Sequence, residues 1–261
     1  MDSVGVIPAR FGSTRFPGKP LKMIAGETLI ARVVKGALGS SRLKTILVAT
    51  DDERIAAEAE KAGARAVMTD SDLPSGSDRV WAALKVAGLE NADVVLNIQG
   101  DEPLITGEPL DQLISAFDCR PELDMATLGR PFDMATPAGR EALASGTTAK
   151  IVLDQTGRAL YFSRFPIPFS RVPADAMGPE WQAQLSTVVL KHIGIYAYRP
   201  RFLERFCAAP PAGLEVFEGL EQLRALALGA RIQVVQTQHE SWGVDTPEDV
   251  EKIERMLAAT R

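Results

Sequence analysis

The chain has 261 residues, 46% of them hydrophobic and 24% charged, which is the composition of a globular protein with a substantial buried core. Its 29 Lys and Arg against 34 Asp and Glu give a net charge of −5, which argues against a general affinity for nucleic acids or anionic membranes. Two cysteines, Cys119 and Cys207, are too few for a disulfide framework. With no secretory signal pattern in residues 1–10 and no apolar run of about 20 residues, we expect a soluble cytoplasmic protein.

Short apolar runs alternate with helical patterns through the first half of the chain. The predicted strands are 4–7, 45–50, 66–68 and 94–98, and the predicted helices include the apolar positions of 29–38, 55–59 and 77–87. Strands that are apolar without alternation are typical of a parallel sheet covered on both faces. The sequence therefore predicts a doubly wound, mostly parallel, Rossmann-like α/β fold, which binds ligands beyond the carboxyl ends of its strands.

The pattern changes between about residues 119 and 190, where prolines are frequent and no long helical pattern occurs. We interpret this stretch as a β-rich insertion, for dimerisation or substrate binding, in a single domain of residues 1–261. Within it, 150–153 and 159–162 predict a hairpin. After it we expect a strand at 192–198, a helix at 214–228, a strand at 232–235 and a last helix that Thr246 caps and Pro247 begins.

A cationic loop follows the first predicted strand. Residues 4–25 contain no Asp or Glu, and their basic residues include Arg10, Arg15 and Lys19. Gly12 and Gly18 let backbone N–H groups approach an anion closely, so residues 8–21, here named the phosphate loop, are predicted to bind a polyphosphate. An ordinary solvated loop is the alternative. The loop matches neither the Walker P-loop nor the glycine pattern of dinucleotide-binding folds.

Two aspartates have the surroundings of metal ligands. Asp101 lies just after the strand 94–98, and Gly100 beside it removes side-chain bulk. Asp245 precedes the last helix and could supply a second ligand, because Mg²⁺ prefers oxygen and is held by one or two carboxylates plus phosphates. The alternatives are a turn residue for Asp101 and additional helix capping for Asp245. Together with a polyphosphate loop, these aspartates predict metal-assisted nucleotidyl transfer.

Further polar residues could complete the site. The segment 75–79, Ser-Gly-Ser-Asp-Arg, either contacts a base or ribose or only begins a helix. Arg164, His192 and Tyr196 lie on predicted strands, where they either bind a carboxylated, hydroxyl-rich ligand or are ordinary core residues. Glu215, Glu218 and Gln222 share a face of the predicted helix 214–228, with Glu221 flanking it, and most such charges are merely solvated.

In chain order, these segments resemble the 3-deoxy-manno-octulosonate cytidylyltransferase family over nearly the whole chain. The motifs are Pro-Ala-Arg-x-x-Ser-Thr-Arg-x-Pro-Gly-Lys-Pro-Leu at 8–21, Ser-Gly-x-Asp-Arg at 75–79, Gln-Gly-Asp-Glu-Pro at 99–103, Tyr-Phe-Ser-Arg at 161–164, His-Ile-Gly-Ile-Tyr at 192–196, Leu-Glu-Gln-Leu-Arg at 220–224 and Val-Asp-Thr-Pro-Glu-Asp at 244–249. The first motif alone is less specific, because spore-coat polysaccharide proteins and acylneuraminate cytidylyltransferases have related loops. The resemblance implies transfer of CMP from CTP to the anomeric hydroxyl of the sugar acid, with release of pyrophosphate, for lipopolysaccharide biosynthesis.

The resemblance also implies roles for individual residues. Nucleotide contacts are implied for Pro8, Ala9, Arg10, Ser13, Arg15, Lys19, Ser75, Gly76, Arg79, Gln99 and Asp101. Sugar-acid contacts are implied for Gln99, Arg164, His192, Tyr196, Glu221, Gln222 and Asp245. Arg15, Lys19, Asp101 and Asp245 are the expected catalytic residues, and the two aspartates are the expected Mg²⁺ ligands. The family is dimeric, so we expect a homodimer whose interface comes from the inserted region.

Two segments bear on the choice of sugar acid. The family usually has Asn or His and a Val before the lysine that matches Lys150, whereas Thr147-Thr148-Ala149 precede it here. Residues 125–129 resemble a branch that acts on the 8-amino-8-deoxy sugar, and we expect Glu215 or Glu218 to lie nearest its eighth carbon. The alternatives in function are a nucleotidyltransferase for another sugar acid or a sugar phosphate, and a non-catalytic nucleotide-sensing relative.

Overall fold

The fold is described from a computed structural model that covers residues 1–12, 16–171 and 178–259. The strands are β1 Ser3–Ala9, β2 Met23–Ile24, β3 Glu27–Thr28, β4 Thr45–Thr50, β5 Arg65–Met68, β6 Val94–Asn97, β7 Met125–Arg130, β8 Lys150–Leu153, β9 Ala159–Ser163, β10 Val189–Tyr198 and β11 Ile232–Gln236. The α-helices are α1 Leu29–Leu38, α2 Glu53–Lys61, α3 Gly76–Ala87, α4 Gly107–Ser115, α5 Pro137–Ala144, α6 Pro179–Val188, α7 Pro200–Ala208, α8 Gly213–Glu218, α9 Gln222–Ala227 and α10 Pro247–Ala259. A 3₁₀ turn, Lys19–Leu21, lies in the phosphate loop.

The chain divides into two compact units. The first comprises Met1–Ser115, Ile195–Cys207 and Glu240–Arg261, and the second comprises Ala116–Gly194 and Ala208–His239. The predicted insertion, about 119–190, falls within the longer range of the second unit. A single domain with one insertion stays a prediction.

The first unit is built on a mostly parallel sheet. The central strand β1 pairs in parallel with β4 and β6, and β4 pairs in parallel with β5. The last residues of β10 run antiparallel to β6, with Tyr196 opposite Asn97. Consecutive residues of β1 are buried on both faces, from Ser3 to Ile7, as expected for strands covered on both sides. The predicted α/β fold with a mostly parallel sheet is confirmed, and the strand 192–198 does return to it.

Polar side chains begin the helices that follow these strands. The Thr28 hydroxyl accepts a hydrogen bond from the Ala31 N–H at the start of α1, and an Asp52 carboxylate oxygen accepts one from the Arg54 N–H at the start of α2. Each bond satisfies a backbone donor that has no partner within its helix. The apolar faces of α1 and α2 then pack on the sheet, with Ile30, Val33 and Ile55 fully buried. These helices occur where the sequence predicts them.

The second unit contains the predicted hairpin. Its strands β8 and β9 are antiparallel, β8 pairs with the beginning of β10, and β7 runs parallel to β11. Two helices in this region, α5 and α6, were not predicted. The signal for α5 is present in the sequence, because the Thr136 hydroxyl accepts a hydrogen bond from the Gly139 N–H and Pro137 occupies the first turn. The same Thr-Pro pattern precedes the last helix, where we did predict a helix.

The prediction of one helix over 214–228 is wrong. Gly219 has a φ of 63°, a left-handed conformation that ends α8, and α9 begins at Gln222. The chain therefore turns between the two helices, and Glu215 and Gln222 do not lie on one continuous helical face. The helix α10 begins at Pro247 as predicted, and the Asp249 carboxylate in its first turn accepts from the N–H groups of Asp245 and Thr246 and from the Thr246 hydroxyl. Capping by Thr246 stays a prediction.

Among the described residues, no helix combines the length and the apolar character required to cross a bilayer.

Candidate active site

The first unit contains a cavity of about 300 Å³ at the carboxyl ends of β1 and β6. Its walls are formed by Pro8, Ala9, Arg10, Lys19, Pro20, Leu73, Pro74, Ser75, Gly76, Arg79, Gln99, Gly100, Asp101 and Asp245. Every described residue of the nucleotide and metal predictions is in this set. Ser13 and Arg15 lie outside the described residues, so their roles stay predictions.

Close approach of two backbones forms the floor of this cavity. A Cβ atom at residue 100 would lie 2.6 Å from the carbonyl oxygen of Pro8, a distance that excludes any side chain. Gly100 therefore allows the loop after β6 to touch the end of β1. The N–H of Val244 donates to the carbonyl of Asp101 at 2.9 Å, which places Asp245 next to Asp101.

Lys19 lies between the two predicted metal ligands. Gly18, with a φ of 68°, donates its N–H to the carbonyl of Phe11 and closes the phosphate loop before Lys19. The Lys19 Nζ is 2.9 Å from Oδ2 of Asp101 and 3.3 Å from Oδ1 of Asp245. Burial raises the pKa of Asp101, and the nearby charges of Glu102 and Asp245 add to this, while Lys19 opposes it. Two carboxylates thus compete for one ammonium group.

This arrangement fits a magnesium site that is completed by the substrate. The described residues include no group of three or more His, Cys, Asp or Glu that could hold a metal ion. Mg²⁺ needs no such group, since it is commonly bound by one or two carboxylates together with phosphate oxygens and water. The position that Lys19 Nζ takes between Asp101 and Asp245 shows that their oxygens converge on one cation. Mg²⁺ binding stays a prediction.

The opposite wall combines a helix start with a buried arginine. The Ser75 hydroxyl caps α3, accepting from the Asp78 N–H at 3.2 Å and donating to the Asp78 carboxylate at 2.7 Å. Ser75 therefore begins a helix, which was the alternative to a nucleotide contact, and it also lines the cavity. Arg79 is buried and donates to the Thr69 hydroxyl at 2.6 Å. Burial, with the charge of Arg10 adding to it, lowers the pKa of Arg79, which still stays charged at neutral pH.

Four residues predicted to contact the sugar acid belong to the second unit, and three of them, Arg164, His192 and Gln222, are described first. Arg164 is exposed, and its Nε donates to the carbonyl of Glu218 at 3.2 Å. The Glu218 carboxylate accepts from the N–H of Arg164 at 2.9 Å and from the Ser163 hydroxyl at 2.6 Å. His192 and Gln222 are within 3.5 Å of each other, and the charge of Arg164 acts on the His192 ring. The structure thus brings His192 and Gln222 into contact.

The fourth of these residues, Glu221, pairs with an arginine of α9. Glu221 Oε1 is 3.6 Å from the Arg224 guanidinium. Tyr196 belongs to the first unit, where it is largely buried and its ring centroid is 6.0 Å from that of Tyr198. Glu215 forms two hydrogen bonds with the Arg224 guanidinium, at 2.9 and 2.6 Å. All of the predicted sugar contacts stay predictions.

Comparison with known proteins places these residues in a family. Residues 4–232 match the family described as cytidylyltransferase. The chain belongs to the cytidylyltransferase family. A 3-deoxy-manno-octulosonate cytidylyltransferase of Bdellovibrio bacteriovorus is 52% identical over 259 residues, which cover 99% of each chain. An 8-amino-3,8-dideoxy-manno-octulosonate cytidylyltransferase of Shewanella putrefaciens is 44% identical over the full length of both chains.

A solved structure supports the same assignment. The structure of a CMP:2-keto-3-deoxy-manno-octonic acid synthetase complexed with CTP has a TM-score of 0.86 and 37% sequence identity, and the match covers 100% of both chains. The resemblance that the sequence motifs indicated is therefore confirmed for this cytidylyltransferase. Neither comparison tests the roles of single residues.

A buried lysine supports the loops around Arg164. Lys150 is fully buried, and its Nζ donates to the carbonyls of Ser145, Thr148 and Arg164 at 2.5, 2.8 and 2.8 Å. Replacement by methionine removes the donor to three carbonyls and leaves an apolar group beside them, so we expect Lys150→Met to lower the free energy of unfolding by about 2 to 4 kcal/mol in urea titrations. Lys191, opposite Lys150 on β10 and only partly buried, is the matched control. An equal loss in Lys191→Met would contradict this account.

His192 gives the second unit a defined pH dependence. Burial, with the charge of Arg164 adding to it, lowers the pKa of His192 to about 3, whereas a histidine in an unfolded chain titrates near pH 6.5. Between these values the unfolded state binds a proton that the folded state does not, so stability decreases as the pH falls. We expect the free energy of unfolding to drop by about 2 kcal/mol more in the wild type than in His192→Gln between pH 7 and 5. Parallel pH profiles of the two proteins would refute the assignment.

Proposed function

We propose that the protein transfers CMP from CTP to the anomeric hydroxyl of 3-deoxy-manno-octulosonate, or of its 8-amino-8-deoxy analogue, and releases pyrophosphate. One observation carries the proposal: the cavity at the strand ends holds a lysine between two aspartates. The family match and the relatives named for these two activities support the choice of nucleotide and sugar acid.

The residues of the cavity suit an in-line displacement at the α-phosphate. The anomeric hydroxyl attacks phosphorus, the bond to pyrophosphate breaks, and the hydroxyl proton passes to solvent, so no covalent enzyme intermediate forms. Arg10 and Lys19 supply positive charge at the phosphates. Mg²⁺, held by Asp101 and Asp245, would neutralise phosphate charge and favour ionisation of the attacking hydroxyl. Arg164, exposed in the second unit, is the candidate partner of the sugar carboxylate.

The reaction belongs to lipopolysaccharide biosynthesis, and we place it in the cytoplasm in a homodimer. Support for self-association comes from large apolar side chains exposed on the second unit, among which Phe169 is 88% and Phe165 is 74% exposed. Such residues are typical of surfaces that another protein covers. Sedimentation equilibrium of the wild type and of a Phe165→Ser/Phe169→Ser variant tests this part, since a monomeric wild type would refute it.

A pyrophosphate-release assay tests the reaction. The purified chain is incubated with Mg²⁺, each of the four ribonucleoside triphosphates, and either a 3-deoxy-octulosonate, its 8-amino analogue, an acylneuraminate or a hexose 1-phosphate. We expect release with CTP and one or both octulosonates. Release with the hexose phosphate would support the sugar-phosphate alternative, and CTP binding without release from any acceptor would support the sensor alternative.

A further inference from the structure

A chain of polar contacts in the second unit runs from β7 through β10 to α9. Thr127 is fully buried, and its Oγ1 lies 3.2 Å from Nε2 of His192 and 3.2 Å from the carbonyl oxygen of Ile193. On the other side of the ring, Nδ1 of His192 is 3.5 Å from Nε2 of Gln222, which is also buried. Thr127 is not among the predicted site residues, whereas His192 and Gln222 are.

The carbonyl of Ile193 fixes the direction of these hydrogen bonds. A carbonyl oxygen only accepts, so the single hydroxyl proton of Thr127 is donated to it. The lone pairs of the hydroxyl then face the ring, and Nε2 of His192 must carry a proton to donate to them. In a neutral imidazole the other nitrogen is an acceptor, so Nδ1 accepts from the amide N–H of Gln222.

Other proton arrangements make at least one of these contacts repulsive. If the proton were on Nδ1, the lone pair of Nε2 would face the hydroxyl lone pairs of Thr127, and the Nδ1–H would face the amide N–H of Gln222. A doubly protonated ring would also face that amide N–H. Burial keeps the ring neutral at physiological pH, which agrees with the Nε2–H form.

We propose that Thr127 is a positioning residue of the sugar-acid pocket, whose hydroxyl selects the Nε2–H tautomer of His192 and thereby the orientation of the Gln222 amide. With its nitrogen toward the ring, the planar amide directs Oε1 away from His192, as an acceptor for a hydroxyl group of the sugar. The inference rests on the proposed function, in which His192 and Gln222 contact the sugar acid. The inference adds Thr127 as the residue that determines which polar atoms of His192 and Gln222 face the sugar acid.

The tautomer can be measured without turnover. The chain has two histidines, His192 and His239, so long-range ¹H–¹⁵N spectra of the intact protein contain two ring systems, and a His239→Gln variant assigns them. At pH 7.5 we expect His192 to show a protonated Nε2 and an unprotonated Nδ1. A protonated Nδ1 in the wild type overturns the proposal, whatever the outcome of the pyrophosphate assay.

Substitutions of Thr127 then test its influence. Thr127→Val keeps the shape and removes the hydroxyl, so we expect mixed tautomers and a KM for the sugar acid that is about three- to tenfold higher, with the KM for CTP unchanged. Thr127→Ser keeps the hydroxyl and restores both values. An unchanged tautomer in Thr127→Val, or a serine variant that behaves like the valine variant, contradicts the proposal, since loss of packing alone would lower the melting temperature without moving the ring proton.

A variant on the other side of the ring gives an independent result even if Thr127→Val does not fold. In Gln222→Glu an ionised carboxylate replaces the amide donor, and it can only accept, so we expect His192 to gain a proton on Nδ1 while Thr127 keeps the proton on Nε2. A ring whose Nδ1 stays unprotonated in this variant shows that residue 222 does not share the hydrogen-bond chain, and it overturns the proposed coupling. If the ring protonation changes as expected but the wild type uses no sugar acid, the proposed function fails and the hydrogen-bond chain stands.

Discussion

Asp101→Asn is expected to lower turnover at saturating CTP and sugar acid by at least about 100-fold, which is typical of losing one charged group that stabilises a transition state. Asp101 is one of two carboxylates that converge on the same cation position, and an amide there is a much weaker ligand for Mg²⁺. The fold should be retained, because burial raises the pKa of Asp101, so its charge is not a source of stability. Steady-state pyrophosphate release and thermal unfolding measure the two effects.

Two further variants accompany Asp101→Asn: Asp245→Asn changes the second carboxylate, and Asp2→Asn is the control. Asp245→Asn should keep CTP affinity nearly intact and impair turnover, with a changed Mg²⁺ dependence. Its cost in stability should be small, because the Asp249 carboxylate binds the N–H groups at the start of α10. Asp2 lies at the amino end of β1, at the opposite edge of the sheet, and its substitution should change nothing. Wild-type turnover in Asp101→Asn would remove the metal from the proposed mechanism.

Lys19→Met is expected to lower kcat/KM for CTP by about 10- to 100-fold, since one charge-assisted hydrogen bond to phosphate in a partly buried site contributes about 1.5 to 3 kcal/mol. A second effect has the opposite sign. Lys19→Met removes the ammonium group that contacts both Asp101 and Asp245, so a divalent cation no longer competes with it and should bind more tightly in the absence of nucleotide. Titration with Mn²⁺, followed by electron paramagnetic resonance, measures this affinity.

The matched control is Lys22→Met. Lys22 lies just after the same 3₁₀ turn but is exposed, and its backbone N–H provides the contact with the turn. This variant should retain wild-type kcat/KM for CTP and wild-type Mn²⁺ affinity. If Lys19→Met and Lys22→Met lost the same fraction of activity, general electrostatic attraction would explain the result, and a specific phosphate contact would not.

The first unit could be predicted largely from the sequence because its signals are local. Unbroken apolar runs identified the parallel strands, and the residues that follow β1 and β6 met at one cavity because the carboxyl ends of parallel strands lie at one edge of a sheet. The contacts of Lys19 with Asp101 and Asp245 were not predicted, because the sequence indicates the phosphate loop and the metal ligands as separate features. The structure places Lys19 directly on the two aspartates.

The second unit was predicted less well because its polar groups are satisfied over long sequence distances. Lys150 binds carbonyls of two separate loops, and no local pattern marks a lysine whose partners are backbone atoms. The expectation that Glu215 or Glu218 lies nearest the eighth carbon of the sugar was based on one helix over 214–228, and it stays a prediction. Glu215 pairs with Arg224, and Glu218 accepts from the backbone N–H of Arg164. Gly219, with its positive φ, carried the signal for the break that separates the two helices.

Gly100 has a consequence for redesign of this enzyme. A selection for altered nucleotide use that randomised the cavity wall would find residue 100 intolerant, and it would be ranked with Lys19 and Asp101 as essential. The reason is different, because glycine there offers no functional group and matters through the 2.6 Å that separates a Cβ from the Pro8 carbonyl. A residue in this wall can therefore be intolerant to substitution for either of two reasons: the site needs its functional group, or two backbones approach too closely for a side chain. Amide hydrogen exchange in β1 and β6 would distinguish the two.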